Sequence, residues 1–184
     1  MLESIALFRT AGVASRAAAR EYARAMAHSA KSSTAAPGGL PRVRAAAAAD
    51  AAALKPLLAQ LGYELEEAEI RRRIERIGSA GGHYLVVAED ADGSLAALLH
   101  VYGRAALEKP AEAVVQALVV RDDLRGRGVG RAMMALAERW ATDAGYRHIS
   151  LSSQIGREAA HAFYEGLGYA RYATSHQFRK TLVE

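Results

Sequence analysis

From Arg42 onward the apolar positions recur with periods that name the elements. Residues 43–46 read as a short first strand. Asp50 then caps a helix whose Leu54, Leu57, Leu58 and Leu61 share one face; Pro56 lies beyond its first turn, so this helix is expected to kink or to start late. Residues 64–77 form a second helix, with Ile70, Ile74 and Ile77 on the apolar stripe and Gly78, Gly81 and Gly82 closing it. Residues 84–88 and 94–102 flank Glu89-Asp90-Ala91-Asp92-Gly93, a hairpin signal. After a loop holding Lys109 and Pro110, residues 113–120 are almost continuously apolar, which suits a central strand buried on both faces. A helix over 130–144, with Met133, Leu136, Trp140 and Ala144 inward, stops at Gly145. A strand over 148–153, a short helix over 158–167 with Ala160, Phe163 and Leu167 inward, and a last strand or strand pair over 169–182 complete the order βααβββαβαβ. The expected class is α/β, a mixed central sheet with helices on both faces, in which the step from residue 120 to 150 is a parallel, right-handed crossover.

Residues 1–40 do not share this pattern. Ala, Ser and Arg dominate them, Glu3 and Glu21 are their only acids, and they end in Thr34-Ala35-Ala36-Pro37-Gly38-Gly39-Leu40-Pro41, a linker signal. Within them 4–30 is helix-permissive, with Arg16, Arg20 and Arg24 at four-residue spacing. An Arg- and Ser-rich, acid-poor leader of this kind suits an organelle transit peptide, but Glu21 and an alanine excess that runs through the whole chain favour a helical extension packing on a partner, or translation beginning upstream of the domain. The expected organisation is a helical extension and linker over 1–40 and one domain over 41–184, in keeping with 184 residues and 19.6 kDa.

Composition narrows the chemistry. Apolar residues make up 51% and 42 residues are alanine, which still leaves enough large side chains for one core. The net charge of +4 suits an anionic small ligand and does not by itself argue for nucleic acid. The absence of cysteine removes disulfide scaffolds, thiol nucleophiles and thiolate zinc sites. The six histidines (His28, His83, His100, His148, His161 and His176) are scattered with no HExxH pair, so no metal is expected. No apolar run approaches the roughly 20 residues that span a bilayer, and a soluble, cytoplasmic protein is expected.

The segment richest in chemistry joins the apolar strand to the following helix: Leu118-Val119-Val120-Arg121-Asp122-Asp123-Leu124-Arg125-Gly126-Arg127-Gly128-Val129-Gly130-Arg131. Unsatisfied backbone N–H groups at a helix start attract anions. Glycines at 126, 128 and 130 let phosphate oxygens approach the backbone, and Arg125, Arg127 and Arg131 add charge around them. Two rival phosphate cradles fail on spacing: GxxxxGK followed by Ser or Thr does not occur, and a dinucleotide fingerprint needs GxGxxG and a terminal acid on the next strand, which here ends in Ser152-Ser153-Gln154.

On these residues the chain resembles the GCN5-related N-acetyltransferases. Their strongest motif is Arg or Gln, two residues, Gly, one residue, then Gly or Ala, after a strand ending in an apolar triplet; Arg125-Gly126-Arg127-Gly128-Val129-Gly130 after Leu118-Val119-Val120 matches throughout. A second block, Ala160-His161-Ala162-Phe163-Tyr164-Glu165-Gly166-Leu167-Gly168-Tyr169, follows in the family's order. The resemblance covers about three quarters of the chain and leaves the first 40 residues unexplained. It implies the acyl-CoA N-acyltransferase-like fold and transfer of an acetyl group from acetyl-CoA, as co-substrate without a metal, to the amine of a small molecule or peptide.

The resemblance also implies roles. The strand matching 113–120 diverges from that matching 148–153, and the pantetheine arm lies in the gap against the main chain of Leu118, Val119 and Val120. The pyrophosphate falls on the segment from Arg125, Gly126 and Arg127 to Gly128, Val129, Gly130 and Arg131. Arg157 stands where the family often has an Asn touching the coenzyme arm, and Phe163 accompanies it. A neutral amine attacks the thioester directly, with no acyl-enzyme, and Tyr164 matches the proton donor to the leaving thiolate. Gln116 stands where several relatives carry a Glu base, which makes Glu112 the nearest replacement, with His100 and Tyr102 as further candidates and His148 discounted. Alternatives are another acyl donor or acceptor, a coenzyme-binding module without turnover, and nucleic-acid binding through the arginines, which predicts steep salt dependence. The acceptor is not readable from the sequence, and a homodimer through sheet edges is expected.

Overall fold

The computed structural model describes residues 41–182; the extension and linker expected over 1–40 lie outside the described residues. The described residues divide into two compact units, the first ending at Ser152 and the second beginning at Ser153.

In the first unit, five strands form one sheet in the order β1-β2-β3-β4-β5: β1 Arg42–Ala45, β2 His83–Glu89, β3 Leu95–Arg104, β4 Glu112–Val120 and β5 Ile149–Leu151. The first four pair antiparallel and β5 joins β4 in parallel. Three helices accompany them: α1 Ala51–Gln60, α2 Glu67–Ser79 and α3 Val129–Asp143. On one face of the sheet Leu54, Leu57, Ile70 and Ile74 pack with Val87, Leu98 and Val119 as a buried cluster. Against the other, α3 buries Met133, Met134, Leu136, Ala137 and Trp140, with Trp140 stacked on Tyr84 at 5.9 Å. The mixed α/β sheet and the parallel step through α3 are as expected from the sequence.

Local details depart from the pattern. Asp50 does not cap α1 with its side chain; it closes a 3-10 turn, Ala48–Asp50, and its carboxylate turns back to the Ala47 N–H (2.7 Å) and to Arg44 (2.7 and 2.8 Å). Arg44 also holds Glu89 at 2.7 Å, which ties β1 and the turn to β2. Pro56 sits inside α1. Ala52, whose carbonyl loses its usual i+4 donor to the proline, is exposed, as is Pro56. The stripe of α2 follows expectation, with Ile70 and Ile74 buried and Glu67–Arg71 and Glu69–Arg73 pairs on its solvent side. No helix among the described residues is long and apolar enough to cross a membrane.

The second unit contains α4, Glu158–Glu165, followed by a turn in which Gly168 takes φ 91° and the Tyr169 N–H returns to the Tyr164 carbonyl at 3.1 Å. The strand or strand pair expected over 169–182 is not there among the described residues: residues 170–182 are exposed and outside any ladder. Alternation of side chains is local, whereas a strand needs a partner for its N–H and C=O groups, and these residues have none among the described ones.

Candidate active site

The backbone of β4 carries the first unusual feature. Its register against β3 runs Arg104↔Glu112 to Val101↔Val115, then resumes one residue out of step at His100↔Ala117. Gln116 is the extra residue, a β-bulge that takes it out of the ladder and leaves it exposed. Pairing with β5 ends at the same place, at Val115↔Leu151. Burial on both faces, expected along the whole strand, therefore stops at Val115 and returns only at Val119.

Beyond Val115 the side of β4 away from β3 pairs with no strand among the described residues. The Arg121 N–H donates to Ala96 O at 2.8 Å, so by antiparallel alternation Ala117 and Val119 face β3 while Leu118 and Val120 point their N–H and C=O groups to the open side. The Val120 carbonyl is engaged: the Gln60 amide, with its nitrogen turned inward, donates to it at 3.2 Å and to Asp122 Oδ1 at 3.0 Å. Arg125 Nε approaches the same oxygen at 3.4 Å. Unpaired buried or half-buried amides of this kind call for an amide-bearing partner.

The chain then enters the glycine and arginine segment. A 3-10 turn, Asp122–Leu124, buries Leu124 and anchors it, and Arg121 fixes the turn through Asp123 (2.7 Å), Ser94 (2.6 Å) and Asp90 (3.2 Å). Gly126 and Gly128 take φ of 76° and 86°, the left-handed region that L side chains avoid. Gly128 is the N-cap of α3 and offers no side chain to it, so the amides of Val129, Gly130 and Arg131 stand at the helix start without a capping group. The first intrahelical bond runs from Ala132 N–H to Gly128 O. Arg125 pairs with Asp122 at 2.5 Å, whereas Arg127 and Arg131 are exposed and make no salt bridge among the described residues. Backbone N–H groups, a helix dipole and cationic side chains converge on one concave turn next to an open strand edge. That combination fits a molecule with a diphosphate at one end and amides along its arm.

The described turn lies inside a longer match: the Acetyltransferase (GNAT) family model aligns with residues 51–169. The chain belongs to this acetyltransferase family. Two relatives place it further. An uncharacterized N-acetyltransferase of Bacillus subtilis (strain 168), YhdJ, is 29% identical over 126 residues, 68% of this chain and 87% of that protein. An aminoglycoside N(6')-acetyltransferase type 1 of Stenotrophomonas maltophilia is 27% identical over 145 residues, 77% of this chain and 94% of its own. Among solved structures, a putative acetyltransferase from Agrobacterium tumefaciens str. C58 superposes with a TM-score of 0.67 at 26% identity, covering 75% of this chain and 99% of that one. AAC(6')-Iy in complex with the bisubstrate analog CoA-S-monomethyl-acetylneamine shares the fold at a TM-score of 0.65 and 18% identity, over 76% and 97% of the two chains.

Within this GNAT chain the residues named as bases have unfavourable surroundings. Glu112 is buried at the start of β4 and clamped by Arg104 and by Lys109 Nζ at 2.7 Å. These hydrogen bonds hold its carboxyl down to about 2, so the expectation of Glu112 as a general base meets a carboxylate already committed to two cations. His100 lies beside the bulge in register, with its Nε2 3.0 Å from His83 Nδ1 and the two rings stacked at 5.2 Å. Burial, and then the neighbouring His83, push it down to about 4. Tyr102 stacks on His83 at 5.6 Å.

In the second unit, Arg157 is the exposed N-cap of α4. Phe163 and Tyr164 meet edge to face at 5.1 Å, and Tyr164 meets Tyr169 at 6.0 Å. Burial raises the Tyr164 phenol, with Arg157 pulling the other way, so the hydroxyl keeps its proton across neutral pH. Sequence reading missed Gln60 and the Arg104–Glu112–Lys109 clamp. No local signal marks Gln60, because its contact with Val120 joins a helix end to a distant strand.

Proposed function

We propose that this chain transfers an acetyl group from acetyl-CoA to the primary amine of a small molecule, without an acyl-enzyme. The observation that carries the reading is the open edge of β4 running directly into the left-handed Gly126 and Gly128 turn at the start of α3. Leu118 and the Val120 N–H would bond the amides of the pantetheine arm, and the Val129, Gly130 and Arg131 amides, with Arg125, Arg127 and Arg131, would hold the diphosphate. When bound, acetyl-CoA supplies the thioester carbonyl that the amine attacks. A main-chain N–H at the bulge is suited to receive the developing oxyanion; Tyr164 would protonate the leaving thiolate, and the proton shed by the attacking nitrogen would pass through water and restore the phenol.

Glu112 at about 2 and His100 at about 4 both lie far below an alkylammonium. With Glu112 clamped by Arg104 and Lys109 and His100 held against His83, the acceptor amine reacts from its neutral fraction. The Stenotrophomonas relative is named for aminoglycosides, which makes an amino sugar the first acceptor to try.

The test is release of coenzyme thiol from acetyl-CoA with a panel of amino sugars, polyamines and short peptides. Acceptor-stimulated release is expected, with kcat/KM rising with pH along the acceptor's own pKa. Saturable coenzyme binding with no stimulated release by any amine would make the chain a binding module instead.

A further inference from the structure

We propose that Gln60 is a positioning residue for the coenzyme turn and that Arg125 works with it. Together they pin the first half of the turn to the end of α1, so that Arg125 keeps the turn in shape while Arg127 and Arg131 face the diphosphate. The inference rests on the coenzyme reading given above and refines the part Arg125 plays in it.

Four contacts carry it. The Gln60 amide nitrogen lies 3.2 Å from the Val120 carbonyl oxygen and 3.0 Å from Asp122 Oδ1. Arg125 reaches the same two acceptors, with Nε 3.4 Å from the Val120 oxygen and Nη2 2.5 Å from Asp122 Oδ1. Two donors, one from a helix end and one from the residue after the 3-10 turn Asp122–Leu124, therefore close on two acceptors at the end of β4. Packing decides where Gln60 stands. Three residues earlier Leu57 is buried with Val119 in the core cluster, and side chains three apart share one side of a helix, so Gln60 leaves α1 beside the next residue of β4. Neither acceptor depends on it for want of a partner: Val120 is half-buried and Asp122 is exposed and already paired with Arg125. What Gln60 adds is attachment of the turn to α1.

The turn needs attachment because Gly126 and Gly128, both at positive φ, give this stretch of backbone more freedom than any other residue type would. The amides of Val129, Gly130 and Arg131 converge on one ligand only while both ends of the loop are held. The far end is held by α3, where Ala132 N–H bonds Gly128 O at 3.0 Å. The near end is held by Arg121 on Asp123, Ser94 and Asp90, and by the ring that Gln60 and Arg125 close. A loop held before its ligand arrives loses less freedom on binding. Charge divides the same way: Arg125 is committed to Asp122, whereas Arg127 and Arg131 make no salt bridge among the described residues.

The experiment titrates the full-length chain with coenzyme A by calorimetry, as wild type, Gln60→Met, Arg125→Gln and the double variant, with far-UV circular dichroism as the check on folding. Methionine keeps the length of the side chain and removes its amide. Both single variants should weaken coenzyme binding by about tenfold, and the double variant by no more than the worse single one, because either loss opens the same ring. NMR of the arginine Nε–H groups supplies a readout that does not involve the ligand. The Arg125 signal, identified by its loss in Arg125→Gln, should exchange slowly with water in the free wild type and rapidly in Gln60→Met. An Arg125 Nε–H unprotected in the free wild type would overturn the inference. Coenzyme affinity unchanged in Gln60→Met, even with a lowered Tm, would make Gln60 a contact of the fold alone and overturn it too. Losses that multiply in the double variant would also do so, since Arg125 would then act on the diphosphate independently. Failure of the wild type to bind coenzyme A would remove the reaction proposed above and this role with it, a result distinct from all three.

Discussion

Replacing Gly128 by alanine separates backbone strain from ligand contact. Its φ of 86° is in the left-handed region, and an ideal Cβ built there meets no atom within 4 Å. Steric clash within the protein is therefore absent, and the cost to folding is conformational alone, about 1–2 kcal/mol for an L residue. In a chain of this size that is roughly 2–8 °C in Tm. Gly93, in the β2–β3 turn, has φ of 81° and equally open space around its Cβ. Gly93→Ala should thus lower Tm by a similar amount and serve as the control. Only Gly128 borders the helix-start amides, where a methyl group would stand in the path of a phosphate oxygen. Losing one charge-assisted hydrogen bond there is about 1.5–3 kcal/mol, or roughly ten- to hundredfold in Kd. Calorimetric titration with coenzyme A and thermal melts of the three proteins make the assay. Equal Tm losses with weakened coenzyme binding in Gly128→Ala alone is the expected result. Unchanged affinity in Gly128→Ala, or equal weakening in Gly93→Ala, would refute the assignment of this turn to the diphosphate.

Tyr164→Phe should lower kcat by about 10²–10⁴-fold, the usual range for a lost acid catalyst, while coenzyme Kd stays within a few-fold; equal kcat in stopped-flow thiol release would remove Tyr164 from the reaction. Glu112 is held well below its ordinary 4.5, so it stabilises the fold fully above that value and loses its contribution as pH falls from about 4.5 to about 2. With Arg104 and Lys109 half exposed, the contribution is on the order of 1–2 kcal/mol, and denaturant melts at stepped pH should show Glu112→Gln less stable at pH 7 and flatter in acid. Gly103→Ala would drive its Cβ into the Tyr146 hydroxyl. Moving Tyr146 off Trp140, now 5.8 Å away, should cost about 1–3 kcal/mol, with recovery in the Gly103→Ala/Tyr146→Leu double variant as the check.

What the sequence disclosed and what it withheld divide along the range of the interactions involved. The stripes of α2 and α3, the Gly93 turn and the alternating glycines before α3 were all legible, because each is fixed by neighbours a few positions away. The bulge at Gln116 was not, since an unbroken apolar run reads as an uninterrupted strand. Only the pairing with β3 reveals one residue too many. The early end of the β4–β5 ladder follows the same rule, and so does the fate of Glu112: its carboxyl looked available until β3 brought Arg104 against it. Residues 170–182 show the limit most plainly. The sequence reads residues 169–182 as a last strand or strand pair, yet a segment's composition does not name the backbone that would pair with it. Phe178 is 95% exposed and residues 170–182 join no ladder among the described residues, because strand pairing depends on a distant edge that no local signal specifies.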